Sequence, residues 1–176
     1  MNRADNIKQF ISEEQIQSRI KELAAKLNEI YKDEELYLVG VLKGSVMFMT
    51  DLAKRLTMPV KMEFVRLSSY GSGTTSAGKI NAVDLSLPDL GGKNVLIVED
   101  IIDTGNTAKF LVDFLNQKFK LKDLKFCSLL DKKARRVNDM QPDYYCFDVE
   151  DKYLVGYGMD IDGKYRNLPY IGYIEV

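Results

Sequence analysis

The stretch Val95-Leu96-Ile97-Val98-Glu99-Asp100-Ile101-Ile102-Asp103-Thr104-Gly105-Asn106-Thr107 decides the fold class. Its first four residues form an unbroken apolar run, as expected of a strand covered on both faces. That strand is expected to end at Val98. Two adjacent carboxylates follow, then a short polar loop with one glycine, then a helix from about Thr107 to Lys118. A buried strand that feeds a helix through a tight polar turn is the unit of an α/β fold.

Working outward, the same unit recurs. Ser12-Glu13-Glu14-Gln15 reads as a capping box. Ile16, Ile20, Leu23, Leu27 and Ile30 then recur at spacings of three and four, which predicts an amphipathic helix. Leu36 to Leu42 is a second apolar run and Ser45 to Leu56 a second helix. Pro59 marks a break, and Val60 to Leu67 alternates like a strand. Ser68 to Gly78, rich in Gly, Ser and Thr, reads as a mobile loop. Leu124 to Leu130 and Tyr144 to Val149 are further strand candidates. Strands alternating with helices predict a mainly parallel twisted sheet flanked by helices, in one domain spanning 1–176. The core is expected at about 34–150. The two ends, about 1–12 and 151–176, lack the repeating unit and are expected to pair into a small lobe.

Composition narrows the function classes. The hydrophobic fraction of 45% supports a packed core, and the net charge of -1 argues against a general nucleic-acid binder. Histidine is absent, which excludes His-based triads and His-ligated zinc and leaves acid–base chemistry to carboxylates, lysines or tyrosines. Cys127 and Cys146 sit in apolar runs and read as reduced, buried thiols. The N-terminus has no apolar signal region, and no run approaches a membrane span, so a cytoplasmic protein is expected.

In open α/β sheets ligands bind at the carboxyl ends of strands. The turn at Asp103 to Thr107 offers backbone N–H groups and a positive helix end there, with hydroxyls from Thr104 and Thr107. Those groups suit a phosphate. Glu99 and Asp100 do not attract a phosphate; they suit ribose hydroxyls or a hydrated Mg²⁺. The competing reading is a polar helix cap with no ligand. A Walker loop is excluded because no Gly-Lys-Ser/Thr ending is present. Leu42-Lys43-Gly44-Ser45 is a second strand–helix turn with a cation beside it. Arg66-Leu67-Ser68-Ser69-Tyr70-Gly71 leads into a glycine-rich loop that could close over a site. Asp131-Lys132-Lys133-Ala134-Arg135-Arg136 follows a strand, and such a run is ordinarily a solvated face. The residues alone reach a phosphorylated ligand with Mg²⁺.

Together, in this order, these segments resemble the 6-oxopurine phosphoribosyltransferases of the hypoxanthine-guanine type. The resemblance runs from about Leu36 to Tyr173 and includes Tyr153-Leu154-Val155-Gly156-Tyr157-Gly158-Met159-Asp160 followed by Tyr165-Arg166. Some members carry Lys where this chain has Asn106.

The resemblance implies a type I phosphoribosyltransferase fold with a small hood, and an Mg²⁺-dependent displacement of pyrophosphate from phosphoribosyl pyrophosphate by hypoxanthine or guanine. It implies that Glu99 and Asp100 hold the ribose hydroxyls or metal, and that Asp103 is the general base near the purine N7. Asp103, Thr104, Gly105, Asn106 and Thr107 would bind the 5-phosphate. Lys132 would donate to the 6-oxo group, Tyr153 would stack on the base, and Ile101, Leu154 and Asp160 would complete the base site. Lys43, Gly44, Arg66 and Arg166 would hold pyrophosphate, Asp160 would reach a second Mg²⁺, and Ser69 and Tyr70 would close the lid. The implied partners are the two small-molecule substrates and a second copy of the chain, in a homodimer or homotetramer. A nucleotide-sensing regulator on the same fold, and transferases acting on adenine, orotate or uracil, are the competing readings.

Overall fold

A computed structural model describes residues 7–69 and 80–174. The chain runs β1 (Ile7–Ile11), α1 (Glu13–Ile30), β2 (Leu36–Leu42), α2 (Val46–Ala53), β3 (Val60–Ser69), β4 (Ile80–Asp84), β5 (Asn94–Ile102), α3 (Asn106–Lys118), β6 (Asp123–Asp131), a 3₁₀ turn (Lys133–Arg135), β7 (Tyr144–Asp148), β8 (Tyr153–Val155) and β9 (Ile171–Ile174).

Six strands form one sheet in the order β4-β3-β2-β5-β6-β7, parallel except for the antiparallel edge strand β4. This is the mainly parallel sheet that the alternating pattern predicts. The central strands are apolar on both faces because both are covered. Ile16, Ile20 and Leu27 of α1 and Phe48, Met49 and Leu52 of α2 pack on one face with Leu38, Leu96 and Val98. Ala108, Leu111 and Leu115 of α3 pack on the other with Val39, Val95 and Ile97. The capping box forms in both directions: Gln15 N donates to Ser12 Oγ and Ser12 N donates to Gln15 Oε1.

The strand order places the site. From β2 the chain moves outward to β3 and β4, returns to β5 beside β2, and then moves outward the other way. The connections after β2 and β5 therefore leave in opposite directions and open a crevice between them, the usual ligand position in such sheets.

Several expectations need correction. α2 stops at Ala53 rather than Leu56. The strand expected to end at Val98 continues to Ile102. Pairing with β2 ends at Gly40–Val98, but pairing with β6 persists to Ile102–Asp131, so Glu99 and Asp100 are strand residues. β4 occupies a stretch given no element by the pattern. In keeping with the expected pairing of the two ends, β1, β9 and β8 form a separate antiparallel sheet that joins them. Of the expected mobile loop, Ser68 and Ser69 lie at the end of β3, and 70–78 fall outside the described residues. Cys127 and Cys146 are buried free thiols whose pKa values burial pushes up, that of Cys146 to about 12. Among the described residues no helix is long and apolar enough to cross a membrane.

Candidate active site

Glu99 and Asp100 occupy successive strand positions, so their side chains leave opposite faces. Glu99, 7% exposed, lines a small cavity of about 70 Å³ with Asp103, Thr104, Gly105 and Thr107. Asp100 lies under the turn after β2: a Cβ on Gly44 would overlap the Asp100 carboxylate. Burial pushes the Glu99 carboxyl well above its usual range, and the neighbouring Asp100 charge adds to this. Burial also raises Asp100; its backbone donors and Arg166 oppose that, and Asp160 reinforces it. Two adjacent acids short of positive charge, Glu99 buried and Asp100 half-buried, are fitted to receive a cation or sugar hydroxyls. Among the described residues no group of three or more His, Cys, Asp or Glu gathers as a metal cluster. The donors available are all oxygens, few in number. That set fits Mg²⁺, which keeps water and substrate oxygens in its shell.

Gly105 caps α3 with φ at 83°, a conformation open to glycine. Even apart from φ, a Cβ there would come within 2.5 Å of Asn138 Oδ1 and 2.7 Å of Arg136 Cδ. Thr104 Oγ1 accepts from Asn106 N at 3.4 Å.

A second cavity, about 260 Å³, gathers seven of the residues picked out from sequence: Asp100, Ile101, Asp103, Lys132, Tyr153, Leu154 and Asp160. Lys132 is 6% exposed, and its ammonium donates to Lys152 O at 3.0 Å and lies 3.4 Å from Asp151. Tyr153 is 55% exposed, so its ring is available to a ligand rather than spent on packing. Asp103 Oδ2 lies 3.4 Å from Arg135 Nη1, while Oδ1 is buried without a hydrogen-bond partner. The expectation of a solvated face at 131–136 is overturned in part. Asp131 and Lys132 are buried, and the Arg136 guanidinium pairs with Asp131, whereas Lys133 and Arg135 are exposed.

Lys43 is exposed beside buried Gly44, after a cis Leu42–Lys43 peptide. Gly158, with φ at 100°, presses on the Gly44 carbonyl, which brings the C-terminal segment to the same crevice. Arg166 pairs with Asp160 at 2.6 Å and donates to Gly158 O at 2.6 Å. Arg66 is exposed on β3 opposite Leu42 and lines neither cavity. The side chain of Ser69, and all of Tyr70, fall outside the described residues.

A wider cleft of about 300 Å³ lies between α1 and the N-terminal end of β7, at the opposite end of the strands. Its Arg19 is committed to Cys146 O and Glu22. None of the site residues picked out from sequence lines it.

Sequence reasoning missed Arg136, Asn138, Lys152 and Tyr157. Tyr157 carries a signal in hindsight, since it stands between two glycines. Its hydroxyl donates to Asp51 of α2 at 2.6 Å.

Residues 7–162 match the phosphoribosyl transferase domain family. The hypoxanthine-guanine phosphoribosyltransferase of Bacillus subtilis is 42% identical over 175 residues, covering 99% of this chain and 97% of that protein. The bifunctional protein TilS/HprT of Listeria monocytogenes is 43% identical over 168 residues, 96% of this chain; the match spans 26% of that longer protein. A crystal structure of a hypoxanthine-guanine phosphoribosyltransferase from Bacillus anthracis superposes with a TM-score of 0.90 at 42% identity, covering 97% of this chain and 99% of that one. A hypoxanthine phosphoribosyltransferase from Staphylococcus aureus gives 0.91 at 39%, covering 98% and 94%.

Proposed function

The chain belongs to the phosphoribosyl transferase domain family, and from that premise we propose that it transfers the 5-phosphoribosyl group of phosphoribosyl pyrophosphate to hypoxanthine or guanine in purine salvage. N9 of the base bonds to C1 of the ribose. The C1–oxygen bond to pyrophosphate breaks, and pyrophosphate leaves with the electron pair, giving IMP or GMP. The proton lost from the base passes from N7 to Asp103.

The observation that carries this reading is the gathering of Asp103, Lys132 and Tyr153 around one cavity. Lys132 already has two oxygen neighbours in Lys152 and Asp151, so the ammonium has one further N–H for a 6-oxo group. Adenine would bring an amino group to the same buried cation and leave it unpaired. Asp103 Oδ1, buried and unpartnered, is suited to take the N7 proton, and its charge favours a cationic ribosyl transition state. Tyr153 stacks on the base, with Ile101 and Leu154 at its edge. Asp103 to Thr107 hold the 5-phosphate, Lys43, Gly44 and Arg166 the pyrophosphate, with Arg66 beside them. Glu99, Asp100 and Asp160 hold ribose hydroxyls or Mg²⁺. The chemistry that Mg²⁺ supplies when bound is neutralisation of charge on the pyrophosphate. Ser69 and Tyr70 belong to the lid of this reading, β1-β9-β8 to its hood, and a dimer or tetramer in the cytoplasm to its setting.

A spectrophotometric assay of hypoxanthine, guanine and xanthine with phosphoribosyl pyrophosphate and Mg²⁺ tests the proposal. We expect turnover with hypoxanthine or guanine. Tight binding of IMP or GMP without any turnover would overturn it in favour of a nucleotide sensor.

A further inference from the structure

Arg136, Val137 and Asn138 run along the loop between β5 and α3, and each holds a different loop residue. Arg136 Nε donates to Asp103 O at 3.0 Å. Val137 N donates to Thr104 O at 3.0 Å. Asn138 Nδ2 donates to Asn106 Oδ1 at 3.0 Å. The guanidinium also reaches Ile102 O at 3.4 Å.

The geometry of the peptide unit gives these contacts a consequence. In a trans peptide the C=O and the following N–H point in opposite directions. Drawing the carbonyls of Asp103 and Thr104 toward this segment turns the N–H groups of Thr104 and Gly105 the other way. Successive N–H groups pointing one way make an anion cradle. The segment thus acts as a strap whose hold on the carbonyls aims the amides.

The strap is itself anchored. The Arg136 side chain is 7% exposed and pairs with Asp131, which is fully buried at the end of β6. The guanidinium donates to Met140 O as well, and Asn138 Oδ1 accepts from Met140 N at 3.1 Å. Its charge is balanced by Asp131, and its planar fork serves several acceptors at fixed angles, which an ammonium would not. The absence of room for a side chain at Gly105, against both Asn138 and Arg136, shows how closely strap and loop fit.

We propose that Arg136 and Asn138 are positioning residues for the 5-phosphate, Arg136 acting through the Asp103 carbonyl and Asn138 through the Asn106 side chain, without touching substrate. The inference rests on the phosphoribosyl reading of the site. Titration calorimetry of the full chain with ribose 5-phosphate reads it without turnover, and steady-state kinetics adds a second readout.

Asn138→Ala loses two neutral hydrogen bonds, one to Asn106 and one within the strap from Met140 N, and is expected to weaken ribose 5-phosphate about three- to tenfold. Arg136→Lys keeps the charge and loses the fork, and is expected to weaken it about tenfold or more. The KM for phosphoribosyl pyrophosphate should rise in parallel, with the KM for hypoxanthine within about twofold, because the Lys132 ammonium and the Tyr153 ring are held by neither Arg136 nor Asn138. A general loss of structure would move both KM values together. Unchanged ribose 5-phosphate affinity in folded variants would overturn the strap, as would equal rises in both KM values or a wild type that does not bind ribose 5-phosphate. If Arg136→Lys does not fold, Asn138→Ala decides. A wild type that binds ribose 5-phosphate but transfers nothing overturns the transfer reading alone, and the binding ratios still decide the strap.

Discussion

At the scale of single residues, Asp103 shows how a site differs from a packed interior. Buried polar atoms are normally paired, and an unpaired one awaits an explanation. Asp103 Oδ1 is buried without a donor, and Oδ2 has only a distant Arg135 at 3.4 Å. A proton acceptor for substrate explains that state. We therefore expect Asp103→Asn to cut kcat by about 10²- to 10⁴-fold while the KM for phosphoribosyl pyrophosphate changes little. Near-normal kcat would remove the general-base role. Gly44 makes a different point. An added methyl would overlap the Asp100 carboxylate, and the turn must shift to admit it. Gly44→Ala should raise the KM for phosphoribosyl pyrophosphate by about tenfold or more, since small misplacements of binding groups are costly; a KM within twofold would show that the turn does not bind pyrophosphate. Asp103 and Gly44 were legible as members of strand–helix turns. Arg136 was not, because a run of charges reads as solvated until Asp131 is seen buried beside it.

At the scale of elements, local signals were legible where they are local. The box at Ser12 opens α1 as read, and Ser12→Ala should cost about 1 kcal/mol in denaturant unfolding. That the two ends of the chain pair was legible from their lack of the repeating unit, but the register of β1 on β9 was not, because a five-residue strand carries no mark that sets Ile7 against Ile174. The junction of α1, α2 and the turn at 156–158 was equally hidden. It meets at Asp51, which accepts from Gln17 at 2.8 Å and Tyr157 at 2.6 Å and pairs with Lys54 at 2.6 Å. Burial alone would raise this carboxyl, but Lys54, Tyr157 and Gln17 outweigh it and hold it below the ordinary range of an aspartate. A depressed carboxyl contributes stability that is present above its unfolded pKa and lost as pH falls through the folded one. In a series of melts from about pH 5 down to about pH 2, Asp51→Asn should therefore show a flatter acid limb than the wild type. Superimposable limbs would mean that Asp51 contributes nothing through its charge.

At the scale of the whole molecule, the two sheets meet at the cavity beyond the carboxyl ends of the strands. The larger sheet supplies the turns after β2, β5 and β6. The C-terminal segment supplies Gly158 against Gly44, and Asp160 with Arg166. The ends of the chain reach the base cavity through Lys152. Its ammonium stands 4.7 Å from the Phe10 ring and 4.9 Å from that of Tyr173, while its carbonyl accepts from Lys132. A substrate that spans these parts binds the folded chain alone, and so adds RT ln(1 + [L]/Kd) to stability. At a hundred times Kd this is about 2.7 kcal/mol, or roughly 5–11 °C in Tm for a chain of this size. The acids that favour a cation make that shift conditional. Phosphoribosyl pyrophosphate with Mg²⁺ should give the full rise, and the same ligand in EDTA a clearly smaller one, because no cation then offsets the pyrophosphate charge beside these two acids. Equal shifts with and without EDTA would mean that Glu99 and Asp100 serve the ribose hydroxyls and hold no metal.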